Sequence, residues 1–540
     1  MIRRDLFLLL LLFASVIPVA NAEDAVAVER RVQQMVVAID RRIESDWLTH
    51  NLKPAAVADD SEYARRVYLD LIGRIPKVGE LTEFANDKSP DKRAKLVEKL
   101  LNMPAHARHF AAGTRNEWLP QTQTDIRFIF LGAGVELWLR ERFRQNTPAS
   151  EVVRRLLSVK LGEGAAVRFR NAQVPDGDTE SQQLLNYYQA NEVRPDQLAA
   201  SVSRVFLGVK LECAQCHDHP FAPHTKEQFW QLAAFFGEFS PLPAVAPSFV
   251  GPLPPQFDKN QITIPNTENT IIATYFDGTF PEWNAKRLPR QELAVWLTSP
   301  ENPYFARNLA NRMWARFFGI GLIDPIDEPG DNNPPSHPEL LDELAKGFAE
   351  SGFDNRVLIR AIVRSKPYQL TSQLTHPTQN DPRRFARMVM KGLSGAQIYD
   401  SFVVATGMAN DGNLEPVFFD AQSQTARGRF VKQFPTGGKV TESQTSILQA
   451  LMMMNGTEMA QQTTIKTGQT LTAIVDAPFL TTETRIDALY RAVVCRNPTV
   501  EEREKLASYV DRGGPSGNKT KALADVMWVL LNSTEFLFNH

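Results

Sequence analysis

The sequence predicts a mainly α protein, with two helical domains joined by a Pro-rich segment. Three observations lead there. Apolar residues recur at spacings of three and four rather than two along both halves, and strand signals are sparse. Between Ser240 and Pro281, residues Pro241, Pro243, Pro247, Pro252, Pro254 and Pro255 interrupt that helical pattern. The expected boundaries are a leader at 1–22, a helical domain at 23–240, a joint at 241–285 and a second helical domain at 286–540.

The leader is read from Arg3 and Arg4, the apolar run Leu6 to Ile17, and Ala20-Asn21-Ala22. This is the pattern of a secretory signal peptide cleaved after Ala22, so the mature chain is expected to start at Glu23 and to be periplasmic or secreted. The apolar core falls short of the ~20 residues of a spanning helix, and no comparable run follows. No membrane span is therefore expected once the leader is removed.

In the first domain Val32, Met35, Val36 and Ile39 form a helical stripe, followed by Tyr63, Val67 and Leu71 and then Leu96 and Leu100. Pro195 is placed to open a helix carrying Leu198, Val202, Val205 and Val209. Thr225 and Gln228 make a capping-box pattern ahead of Phe229, Leu232, Ala233 and Phe236. Within the joint, Ile262-Thr263-Ile264 and Ile271-Ile272-Ala273-Thr274 predict a small β-hairpin. Helical spacing resumes at Leu288, through Leu293, Trp296 and Leu297, and then Leu309, Met313 and Phe317 closed by Gly319.

Sixty basic residues against sixty-two acidic ones leave a net charge of −2. That balance argues against a nucleic-acid partner, which calls for a basic surplus or stripe. Three cysteines are too few for a disulfide scaffold in a chain of this size. Cys495, in a helical context, reads as a buried and inert thiol.

The other two fall in Leu211-Glu212-Cys213-Ala214-Gln215-Cys216-His217-Asp218-His219-Pro220-Phe221, which contains C-x-x-C-H. Two thiols one turn apart can form thioethers with the two vinyl groups of a porphyrin, and the adjacent imidazole then lies beneath the iron. This pattern points to one covalently attached c-type haem held by Cys213, Cys216 and His217, with His217 as proximal ligand, for electron transfer or redox chemistry with a redox partner protein. The alternatives are a zinc site that recruits His219, in a non-redox binding or scaffold protein, a metal-centred extracellular enzyme, and a Cys213–Cys216 disulfide. Candidates for the sixth iron position are His337 first, then His224, His540 or a methionine, with hydrogen bonding beside Pro220 as the plainer role for His219.

The chain resembles planctomycete-type exported proteins in which a domain of unknown function 1549 is followed by a domain of unknown function 1553. The resemblance rests on Arg65 to Pro76, the cysteine segment, Asn311-Arg312-Met313-Trp314 with Phe318-Gly319-Ile320-Gly321-Leu322, Asn333 to Leu341, and Leu530 to His540. It implies architecture and address rather than a reaction. Many relatives carry a further cytochrome-c-like domain ahead of this pair. The stretch from Ala22 to Tyr63 holds no cysteine, so a haem here would use Cys213, Cys216 and His217.

The acidic stretch Asp324, Asp327, Glu328 and Asp331 lacks the spacing of a helix-loop-helix calcium site and reads as a solvated loop. Ser336 or His337 is placed to cap the helix that Pro338 opens. Arg65, Arg66, Arg312, Arg316, Arg383 and Arg384 read as salt-bridge partners on helix faces, one or two of them available to haem propionates.

Overall fold

The computed structural model of the chain describes residues 20–125, 127–159, 179–218, 222–239, 260–408, 426–434, 453, 456, 463–464 and 467–540. Most of the leader, His219 and the proline cluster of the joint lie outside the described residues. The described elements are helices with two small two-stranded antiparallel sheets, so the mainly α reading stands. Among the described residues no helix is long and apolar enough to cross a membrane.

The helices that matter below are α1 (Ala20–Thr49), α2 (Asp60–Ile72), α3 (Pro104–Trp118), α4 (Ile129–Arg144), α5 (Ala149–Ser158), α6 (Pro195–Val202), α7 (Lys226–Ala233), α8 (Phe305–Phe318), α9 (Pro338–Glu350) and α10 (Asn355–Arg364). The expected hairpin forms from β1 (Gln261–Thr263) and β2 (Thr270–Ile272), with Ile262 opposite Ile271. A second pair joins β3 (Lys391–Gly392) to β4 (Phe538–Asn539), so the C terminus is tied to the middle of the second half.

Helix α1 buries the expected stripe, extended by Ile43 and Trp47, and lays it against α9 and α10 of the other half. Gly347 permits the approach, since a Cβ there would meet Met35 Cγ at 3.0 Å. One continuous cluster of buried apolar side chains includes residues of both halves. Burial of this kind, rather than the exposed pairs Arg364–Glu29 and Arg41–Glu343, carries the stability.

Helix α2 is buried along most of its length, polar residues included. Asp59 caps its start by accepting from Glu62 N, and Gly73 ends it in the left-handed region at φ 76°. A side chain at Gly73 would also collide with the His109 ring at 2.6 Å. Arg65 and Arg66 are fully buried. Arg65 donates to the carbonyls of Glu535, Phe536 and Phe538, and Arg66 to those of Tyr368, Leu370 and His540, with Glu62 as its ion-pair partner. These two arginines are therefore clamps on remote backbone rather than surface salt-bridge partners. Five donors in a rigid fork suit a guanidinium to that task better than an ammonium.

Cys495 sits two residues beyond the helix Thr482–Val493 at φ 66°, buried against Arg65. Burial pushes its thiol up, which keeps it protonated and inert as the sequence suggested.

Candidate functional site

Helices α6 and α7 bracket the cysteine segment as expected. Pro195 stands at the first turn of α6. The helix then widens into a single π turn, Ser203–Leu207, which Gly208 closes at φ 71°. A Cβ on Gly208 would lie 2.6 Å from Asn308 Oδ1, so both backbone and space require glycine. Two carbonyls of the π turn face the second half: Val205 O accepts from Asn308 Nδ2 at 2.7 Å and Arg204 O from Arg312 Nη2 at 2.7 Å. Arg312 also pairs with Asp327, whose carbonyl accepts from Lys210 N. The family motif around Asn311 and the acidic loop thus brace the turn that leads to the cysteines. Asn333 in turn fastens that loop, donating to the carbonyls of Pro325 and Glu328.

Glu212–Gln215 forms a 3₁₀ turn with Ala214 buried beneath it. Gln215 holds it twice: its side chain donates to Asp196 Oδ2 at 3.0 Å, and its carbonyl accepts from Trp230 Nε1 at 3.1 Å. Asp218 then accepts from Lys226 N at 2.8 Å, fixing the exit of the turn to the start of α7. Thr225 and Gln228 form the full reciprocal capping box. Replacing Thr225 with Ala is expected to cost about 1 kcal/mol in urea unfolding, and an unchanged midpoint would deny that the box anchors this segment.

On this frame Cys213, Cys216 and His217 are exposed, and both thiols are free. His217 Nδ1 lies 2.8 Å from Asp218 O. A carbonyl can only accept, so Nδ1 donates and Nε2 is left out of that bond. His224 lies nearby in sequence with its ring against Phe276.

His337 is elsewhere in kind. It is buried, at the N-cap position of α9 but with no side-chain capping bond. Its Nδ1 is 3.1 Å from Ser336 Oγ, its Nε2 is 3.6 Å from Asp46, and its ring packs on Phe385. Burial lowers its pKa, with Asp46 opposing. His540 is mostly buried near Glu535. Among the described residues no three His, Cys, Asp or Glu side chains converge as a metal site.

Asp196, Gln215, Trp230 and Asn308 support the turn and were not foreseen. Their signal is long-range, and only the motif status of Asn311-Arg312 hinted at it.

The family model described as Protein of unknown function (DUF1549) matches residues 38–240, and that described as Protein of unknown function (DUF1553) matches residues 289–435. No curated protein and no solved structure matches the chain.

Proposed function

We propose, for a chain that belongs to the proteins pairing a DUF1549 domain with a DUF1553 domain, that Cys213, Cys216 and His217 attach one c-type haem in an exported redox protein. The observation that carries this reading is the His217 geometry: Nδ1 is engaged by Asp218 O at 2.8 Å, which leaves Nε2 as the ligand atom, beside two exposed free thiols. A metal-ligating histidine commonly donates its other nitrogen to a carbonyl in this way, which fixes tautomer and orientation.

The donor set fits such a group: two thiols for covalent attachment and one imidazole for the iron. When bound, the haem would supply one-electron chemistry, and the exposed turn would let a redox partner protein approach. The chain's own contribution is to hold the three side chains on a turn braced by Gln215, Asp218 and the Asn308–Arg312 edge of α8.

The test is intact mass, metal content and visible absorption of protein matured in a host that attaches c-type haem. A mass gain of one haem, colour that survives acidic organic extraction, and a changed spectrum in H217A are expected. C213A or C216A should each retain haem less firmly. Colourless wild-type protein with about one equivalent of zinc, or with a Cys213–Cys216 disulfide and no cofactor, overturns the reading.

A further inference from the structure

A cleft lies between α3, α4 and α5 of the first half and α8 of the second, with a volume of about 80 Å³. Its walls are largely apolar, from Phe110, Trp118, Leu139, Val152 and Phe206. Its charged lining is Glu117, Arg142, Arg312 and Arg316, an excess of two positive charges. Pockets at domain junctions with apolar walls and a few convergent polar groups are the usual form of a small-molecule site.

The three arginines are not equivalent. Arg312 is satisfied by Asp327, Asn308 and Arg204 O. Arg316 is seated over the Phe110 ring at 4.0 Å, in a notch kept open by Gly113, where a Cβ would lie 2.3 Å from its Nη2. Its Nη2 donates to His109 O at 3.2 Å, a neutral carbonyl. Burial holds its guanidinium below the usual arginine range, opposed by Glu117 and Asp70. Arg142 lies 3.6 Å from Glu180, and its Nε is buried with no hydrogen-bond partner. A largely buried guanidinium whose hydrogen bonding is incomplete is costly, and an entering carboxylate would relieve that cost.

We propose that this cleft binds a short-chain organic acid, its carboxylate on Arg316 and Arg142 and its apolar body against Phe110, Trp118 and Phe206. The size of the cleft suits a short aliphatic chain, and, with Arg312 already paired to Asp327, Glu117 set against Arg142 and Arg316 leaves charge for one carboxylate. The cleft shares Phe206 and Arg312 with the brace of the cysteine turn but contains none of Cys213, Cys216 and His217, and the proposal does not depend on what that turn holds.

The test is calorimetric titration of the mature full-length chain with butyrate, its uncharged counterpart butyramide, and inorganic phosphate, which has charge but no apolar body. Butyrate should bind and raise the melting temperature progressively with its concentration, continuing to rise beyond saturation. Butyramide and phosphate should bind at least tenfold more weakly. R316Q should weaken butyrate at least tenfold, and R142Q, which leaves the Arg316 seat intact, severalfold. R142Q also serves if R316Q does not fold. No detectable butyrate binding, equal binding of butyrate and butyramide, or unchanged affinity in R142Q overturns the proposal.

Discussion

Asp70→Ala is expected to lower stability by about 3–5 kcal/mol, the cost of breaking a buried ion pair by removing one partner. The carboxylate of Asp70 joins three remote parts of the chain. Its Oδ1 accepts from Lys391 Nζ at 2.7 Å and from Asn539 Nδ2 at 2.7 Å, and its Oδ2 accepts from Tyr368 OH at 2.8 Å. Lys391 completes its shell on Phe317 O at 2.6 Å. Both members of the pair are about 6% exposed, so solvent cannot replace the lost carboxylate. Burial already lowers the Lys391 pKa, and Asp70 is the leading opposing influence. Removing Asp70 therefore leaves a buried ammonium facing the arginines of α2 and α8. Urea unfolding followed by far-UV circular dichroism measures the effect, and a loss under about 1 kcal/mol would contradict the assignment. Asp70→Ala combined with Lys391→Met should recover part of the loss, because the pair removed together leaves no unpaired charge.

That cluster also marks what could be read in the sequence and what could not. Local signals were legible: the α1 stripe, Pro195 at a first turn, the Thr225–Gln228 box, the Gly319 stop and the hairpin at Ile262 and Ile271 all depend on neighbours a few residues away. Arg65, Arg66 and Asp70 were not, because, apart from Glu62 beside Arg66, their partners lie some 300 to 470 residues distant and are mostly backbone carbonyls, which leave no mark in sequence. Charged residues inside an apolar stripe look like an exposed edge when they are in fact a buried clamp. Two segments of the family resemblance, Arg65–Pro76 and Leu530–His540, prove to be the two sides of one contact. For the candidate site, the thiols, the imidazole and the bracketing helices were legible. The brace from Asn308 and Arg312 was not, since it comes from the opposite domain. His337 drew attention as a ligand and as a cap, but the contact with Asp46 that occupies its Nε2 side joins α1 to α9 across the fold.

Acid should destabilise this protein at an unusually high pH, well before its paired carboxylates are protonated. His106 is 2% exposed, packs on Phe110, and donates Nδ1 to Leu71 O. Burial pushes it down to about 3. His540, mostly buried beside Arg65 and Arg66, is pushed down to about 4, and His109 is held well below its ordinary value by burial and by Arg316. In the unfolded chain each of these imidazoles takes up a proton near pH ~6.5. Below that pH the unfolded state therefore binds more protons than the folded state. The stability from the neutral histidines is fully present above pH ~6.5 and is lost as the pH falls toward their folded values. Each proton is worth about 1.4 kcal/mol per pH unit, so His106 and His540 together give a slope of roughly 2–3 kcal/mol per unit between about pH 6 and 5, with His109 acting in the same direction. Urea midpoints at pH 7, 6 and 5 measure it. His106→Gln, which keeps a donor for Leu71 O but cannot be protonated, should flatten the slope by one proton while costing some packing at pH 7. Equal stability at pH 7 and 5 in the wild-type chain, or an unchanged slope in His106→Gln, would mean that these histidines are not held neutral by burial.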